Sequence, residues 1–157
     1  MTLPELIAHR GGIVDKRFAE NSRQGLEEAA RRGYRAVELD VRLTSDGQLL
    51  AHHDAHFEKI FGLPEQLVAE TTAAAARALR GLPGGEAPQL WAECCSAAAE
   101  LGLQVMVDIK IREPSDEVLA EVAGALRDEG LLEGALVLSD IPRGPPPSTH
   151  TALAQPG

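Results

Sequence analysis

Aromatic residues make up only 3% of this 157-residue chain, and one Trp, one Tyr and three Phe cannot fill an interior alone. Ala and Leu must supply the packing, so helices with small-residue faces are expected. Cysteine is nearly missing too. The two that exist, Cys94 and Cys95, are adjacent, and neighbours on a predicted helix do not reach disulfide geometry. They read as reduced packing residues in a reducing compartment. No run approaches 18 apolar residues, which leaves no integral membrane segment, and Met1 to Ala8 is too short for a signal peptide. A cytoplasmic location is expected. Basic residues are outnumbered, 15 Lys and Arg against 24 Asp and Glu, for a net charge of -9. That balance argues against a nucleic-acid partner, which needs clustered cations, and against electrostatic attachment to an anionic membrane. It leaves acid to spare for a metal site.

What is present is an ordinary globular balance, 44% hydrophobic and 25% charged, in a length that suits one domain with a sizeable core. The centre of interest is the stretch from Arg35 to Asp54. Ala36 to Val41 has the composition of a strand, and alternation sends Val37, Leu39 and Val41 to one face and Glu38 and Asp40 to the other. Asp46-Gly47 is a strong hairpin signal of the type I′ kind, so the next strand returns antiparallel. A two-residue turn between Ser45 and Gln48 would place His53 opposite Asp40. Two carboxylates and an imidazole at one spot suit a hard divalent cation with an acid/base group beside it. A Glu-x-Asp pair by itself is also the ordinary pattern of a solvated face, so the rest of the chain has to decide.

Leu3 to Ala8 reads as a short strand ending at His9-Arg10-Gly11-Gly12, which sets His9 and Arg10 just past a strand's C-terminal end. In parallel α/β folds that end carries the ligand. Asn21 or Ser22 can cap an amphipathic helix from Arg23 to Arg32, with Gln24 placed for a capping box if Asn21 is the cap. Gly33 ends the helix, which completes a βαβ unit with the Glu38 strand, and its crossover should be right-handed. Residues 55–86 have a looser pattern with apolar anchors from Phe57 to Val68 and a helix from Ala73 to Leu79 capped by Thr71 or Thr72. This is an excursion over one face, with a substrate-side lid as its functional reading. Pro88 suits the first turn of a helix ending near Leu101. Leu103 to Ile111 is the clearest buried strand, with Met106, Asp108 and Lys110 on one face. Asp108 repeats the logic of the Glu38 strand, although an internal Asp108–Lys110 ion pair would explain it equally. Ser115 caps a helix from Asp116 to Glu129, and Ala135 to Ser139 forms another strand. Residues 141–157 hold five of the ten prolines and have no apolar periodicity, so a disordered tail is expected after a domain of residues 1–140. No internal repeat points to a solenoid.

His9-Arg10-Gly11, Glu20-Asn21-Ser22, Glu38-Leu39-Asp40, Thr44-Ser45-Asp46-Gly47, His53-Asp54, Pro88-Gln89-Leu90 and Asp108-Ile109-Lys110 occur in one order along the chain. That order and approximate spacing resemble the glycerophosphodiester phosphodiesterases, over roughly residues 5 to 140. The resemblance implies a TIM-type (β/α) barrel with its site at the C-terminal mouth, cutting glycerophosphodiesters into glycerol 3-phosphate and an alcohol. It implies Glu38, Asp40 and Asp108 as ligands of one Mg²⁺ or Ca²⁺ ion. It further implies His9 and His53 as the catalytic imidazoles, and Arg10 and Lys110 as phosphate-binding cations. His9 is favoured as base and His53 as acid. His52, on the opposite face by alternation, reads as structural, and His56 and His150 fall outside any motif.

Three departures from the family pattern stand out. Asp108 replaces a common Glu, as it does in the related spider-venom phospholipase D enzymes, and the shorter side chain still ligates. Ala19 replaces a common Pro. The third is that only about four strands and a hairpin arm are visible where a barrel needs eight, so about half a barrel is expected, as a truncated or frame-disrupted product or a half that closes by association. Beside phosphodiesterase activity, the alternatives are an inactive fragment that self-associates or binds a partner, and a lysophospholipase D-type reaction on a lipid substrate.

Overall fold

The computed structural model describes residues 6–12, 16–81 and 84–139, and the Pro-rich stretch 141–157 lies outside them. In chain order the elements are β1 (Ile7–Ala8), α1 (Arg23–Arg31), β2 (Ala36–Leu43), β3 (Leu49–Ala51), β4 (His56–Phe57), α2 (Glu58–Phe61) and β5 (Leu63–Leu67). There follow α3 (Ala73–Arg77), β6 (Gln89–Leu90), α4 (Trp91–Glu100), β7 (Gln104–Ile109), α5 (Asp116–Asp128) and β8 (Leu136–Ser139). None of the helices among the described residues is long and apolar enough to cross a membrane.

Strands β1, β2, β7 and β8 lie side by side in that order, all parallel, each joined to the next through helical segments. This is the α/β arrangement of half a TIM-type barrel. The apolar alternation explains the layering. Val37, Leu39 and Val41 of β2, with Val105, Val107 and Ile109 of β7, are buried against Leu26 and Ala29 of α1, Trp91, Cys94 and Ala98 of α4, and Val122 and Leu126 of α5. The Trp91 indole N–H donates to the Val122 carbonyl at 3.1 Å, which ties α4 to α5 while satisfying the ring's polar atom. Both cysteines are free and buried in this core, and burial pushes the Cys95 thiol up to about 12 and Cys94 further. They are inert packing residues.

Two expectations need correction. The hairpin between β2 and β3 is not a two-residue type I′ turn. Gly47 has φ 78, whereas Asp46 is not in the left-handed region, and the Thr44 N–H donates to the Gln48 carbonyl at 2.9 Å across a three-residue loop. The Thr44 hydroxyl occupies the place a main-chain carbonyl would take, accepting from the Gln48 N–H at 2.9 Å and donating to Asp46 at 2.7 Å. The extra loop residue shifts the register by one, so that Val41 faces Ala51 and the His52 N–H donates to the Asp40 carbonyl. His52, not His53, stands opposite Asp40. The second correction concerns Pro88, which precedes a strand and not a helix. Gln89 and Leu90 pair antiparallel with β3, and α4 begins only at Trp91, where the Glu93 carboxylate accepts the Leu90 N–H at 3.0 Å.

The excursion carries structure of its own. Phe57, Val68 and Ala76 gather on Leu50 in a second small core beside the β4–β5 pair, and Thr72 caps α3 by accepting from the Ala75 N–H. His52 belongs to this core. Its ring lies 5.0 Å from that of Phe57, and its Nε2–H donates to the His56 carbonyl at 3.0 Å. Burial lowers its pKa and so favours the neutral ring; the ring is structural as expected, although the observed register sets it across from Asp40 and not on the face that alternation gave it.

Candidate active site

The upper face of β2 and β7 collects acid. In the parallel register Asp40 stands directly beside Asp108, and Glu38 lies one pleat below on the same face. Carboxylate oxygens of all three lie within 4.8 Å of one another. Such crowding of like charge is costly without a counter-ion. Burial first, and then the Asp40 and Asp108 carboxylates, raise the pKa of Glu38 against the pull of the Arg10 N–H and of Lys110. Lys110 meets part of the charge, with Nζ 2.6 Å from Asp108 Oδ2. The ion pair weighed from sequence therefore exists, and it sits within the cluster.

Around the carboxylates lies a cavity of about 320 Å³, lined by His9, Glu38, Asp40, His53, Asp108 and Lys110 among others. Six of the seven residues expected at the site thus come together. His9 follows β1 directly, its side chain 67% exposed and Nε2 3.7 Å from Glu38 Oε2. His53 reaches the cavity even though the register differs, because β3 has ended at Ala51 and other bonds hold the backbone there. Its Nδ1 lies 2.6 Å from Asp54 Oδ1. Burial works against ionising Asp54, but the hydrogen bond from His53, together with the charges of His53, His52 and Lys59, outweighs it and leaves the pKa below the ordinary value. The seventh residue, Arg10, behaves differently. Its guanidinium lies 3.5 Å from Glu20, and what it gives the carboxylate cluster is its backbone N–H, which donates to Glu38 Oε2 at 2.7 Å.

The turn after β1 is built for this approach. Arg10 has φ 50 and Gly11 φ 58, and a Cβ on Gly11 would lie 2.6 Å from Leu39 Cδ2, so glycine lets the loop press onto β2 without displacing that buried side chain.

Four residues given no place in the site by sequence reasoning make hydrogen bonds that organise it. Arg42 continues the acidic face of β2, donating from Nε to the His53 carbonyl at 2.7 Å and from Nη1 to the Lys110 carbonyl at 3.1 Å. It thereby fixes the loops carrying both residues. Asp54 orients His53. Glu20 is buried and accepts from Lys59 Nζ of α2 at 2.8 Å, linking the excursion to the site. Asn21 is not the helix cap; Ser22 is, accepting from the Gly25 N–H at 3.1 Å. Asn21 instead turns its amide to Asp40, donating from Nδ2 to Oδ2 and accepting the Asp40 N–H at Oδ1, both at 3.0 Å. The only sequence signal for Glu20, Asn21 and Asp54 was their place inside motifs.

The donor set fits a hard divalent cation. It is all oxygen, it is crowded with negative charge, and the buried Asp40 Oδ1 has no hydrogen-bond partner among the described residues.

Comparison with known proteins agrees with this geometry. The model of the glycerophosphoryl diester phosphodiesterase family matches residues 9–126. Similar solved structures include a glycerophosphodiester phosphodiesterase from Parabacteroides distasonis, 24% identical with a TM-score of 0.69, covering 85% of this chain and 55% of that one. Another, from Agrobacterium tumefaciens, is 23% identical with a TM-score of 0.71, covering 88% of this chain and 58% of that one. A phosphodiesterase of Oleispira antarctica, in complex with the product sn-glycerol-3-phosphate, is 26% identical with a TM-score of 0.73, covering 87% of this chain and 57% of that one. No curated protein matches the chain. The chain spans a little over half the length of these structural relatives. With its motifs, half-barrel and acidic cluster in agreement, the chain belongs to the glycerophosphoryl diester phosphodiesterase family.

Proposed function

We propose that this chain hydrolyses glycerophosphodiesters to glycerol 3-phosphate and an alcohol, with one Mg²⁺ or Ca²⁺ ion held by Glu38, Asp40 and Asp108. The observation that carries the reading is the convergence of those carboxylates with His9, His53 and Lys110 on one cavity, in a chain of this family. The product bound to the Oleispira relative supports the substrate class. When bound, the cation supplies charge stabilisation at a phosphoryl oxygen. Lys110 binds the remaining phosphate charge, and Arg10 serves the site through its backbone N–H on Glu38 while its guanidinium rests on Glu20. His9 takes the proton of the attacking oxygen at a ring nitrogen, a role supported by its exposure and by Nε2 lying 3.7 Å from Glu38 Oε2. His53 keeps Nδ1 on Asp54, which fixes the ring and leaves Nε2 to protonate the departing alkoxide.

Incubation with glycerophosphocholine in the presence of Mg²⁺ or Ca²⁺ should release glycerol 3-phosphate, Glu38→Ala should abolish the release, and His9→Ala should cut it by about 10²- to 10⁴-fold. Activity that survives chelation would remove the metal from the reading.

A second reading draws on a different observation. Leu136, Val137 and Leu138 of β8 are 39%, 60% and 46% exposed, and Leu6, next to β1, is 62% exposed. Apolar surface at both lateral ends of the sheet favours self-association, in which the half-barrel is a binding module without turnover. An inactive oligomer would support this second reading, and a monomer that turns over substrate would contradict it.

A further inference from the structure

We infer that Asn21 is the positioning residue that presets two of the three ligand carboxylates, holding Asp40 directly and Glu38 through the backbone of one residue, Arg10. The inference rests on the cation reading of Glu38 and Asp40. Its evidence is a continuous chain of hydrogen bonds that no sequence spacing foretells. The Asn21 amide meets Asp40 twice, at the backbone N–H and at Oδ2. The Asn21 backbone N–H donates to the Arg10 carbonyl at 2.7 Å, and the Arg10 N–H donates to Glu38 Oε2 at 2.7 Å. Asp40, Asn21, Arg10 and Glu38 are thus joined in series across three separate segments of the chain.

Chemistry fixes how the amide points. An N–H of the main chain can only donate, so it must face Asn21 Oδ1, and Asp40 Oδ2 can then accept from Nδ2. The bond leaves Asp40 Oδ1 as the oxygen without a partner among the described residues, so the clamp also selects which oxygen is offered to a cation. Asn21 is 3% exposed and has φ 54, a left-handed conformation that Asn tolerates better than most side chains. Aspartate would keep the shape while replacing a donor with a second carboxylate against Asp40. Glycine would keep the backbone conformation, with less strain, and remove the clamp.

The test measures Mg²⁺ and Ca²⁺ affinity by calorimetry on the full chain, with thermal unfolding in chelator recorded in parallel. Asn21→Gly and Asn21→Asp should each weaken cation binding about 10- to 100-fold, the range seen when partners of metal ligands are removed. Ser22→Ala, which breaks the α1 cap beside it without touching a carboxylate, should leave affinity unchanged. Affinity of Asn21→Gly within about threefold of the parent would overturn the inference, since the backbone conformation alone would then suffice. Loss of folded protein in chelator for both variants would overturn it as well, because a clamp confined to the site does not set the stability of the chain. A parent chain that binds neither cation would overturn the cation reading itself, and the inference with it.

Discussion

Strands β2 and β8 belong to one parallel sheet and have opposite surroundings. Strand β2 has β1 and β3 along one edge and β7 along the other, and its residues from Ala36 to Val41 are all buried. Strand β8 is paired with β7 alone among the described residues, and it exposes Leu136, Val137 and Leu138. The difference shows that the site does not wait on a closed barrel for its local order. The three carboxylates and His53 are held by bonds from β2, the end of β7 and the loops after β1 and β3, while His9 is exposed beside Glu38.

The contrast can be broken in four places, beginning with the largest effect. His9→Ala, facing Glu38, should lower glycerol 3-phosphate release by about 10²- to 10⁴-fold while thermal unfolding stays near the parent's. Leu39→Ala, one residue from Glu38 on the opposite face, should do the reverse. It removes a fully buried side chain, so chemical denaturation should show a loss of roughly 2–5 kcal/mol, with cation binding retained by the folded fraction.

A smaller effect is expected on the outer side of α1. Hydrogen bonds from Arg31 and Arg32 hold the Glu28 carboxyl well below its ordinary 4.5, at about 2. A group depressed in the folded state contributes stability that is complete above 4.5 and is lost as pH falls from there through about 2. Unfolding midpoints measured across that window should fall with pH, and Glu28→Gln should flatten the slope. The smallest effect on folding belongs to β8. Val137→Asp, on an exposed position, should change unfolding stability by no more than about 0.5 kcal/mol. If β8 is an association surface, the same change should shift sedimentation towards the monomer.

The same contrast marks what could be read from sequence. The alternation of β2 and β7 placed Glu38, Asp40 and Asp108 on one face because a two-residue period is a local property of the chain. The cap Ser115 was visible for the same reason, while Ser22 and Thr72 were each one of two adjacent candidates that only the structure separates. The hairpin register was not, because it turns on which acceptor the Gln48 N–H finds, and the Thr44 hydroxyl won over a carbonyl. Strand β6 was missed because two residues carry no period, and its pairing partner β3 is nearly forty residues away in sequence. Asn21 and Arg42 escaped for a related reason. Their bonds run to Asp40, His53 and Lys110 across loops, and the identity of an amide or guanidinium does not disclose its partner.

The proposed function requires that this half-barrel hold a working, cation-dependent site. Fractions from a sizing column, each with its mass determined by light scattering, should be assayed for glycerol 3-phosphate released from glycerophosphocholine, with divalent cation and then with chelator. Release should follow the chain through the column, stop in chelator and return when Mg²⁺ or Ca²⁺ is restored. Absence of release from every fraction, or release indifferent to chelator, would contradict the proposed function.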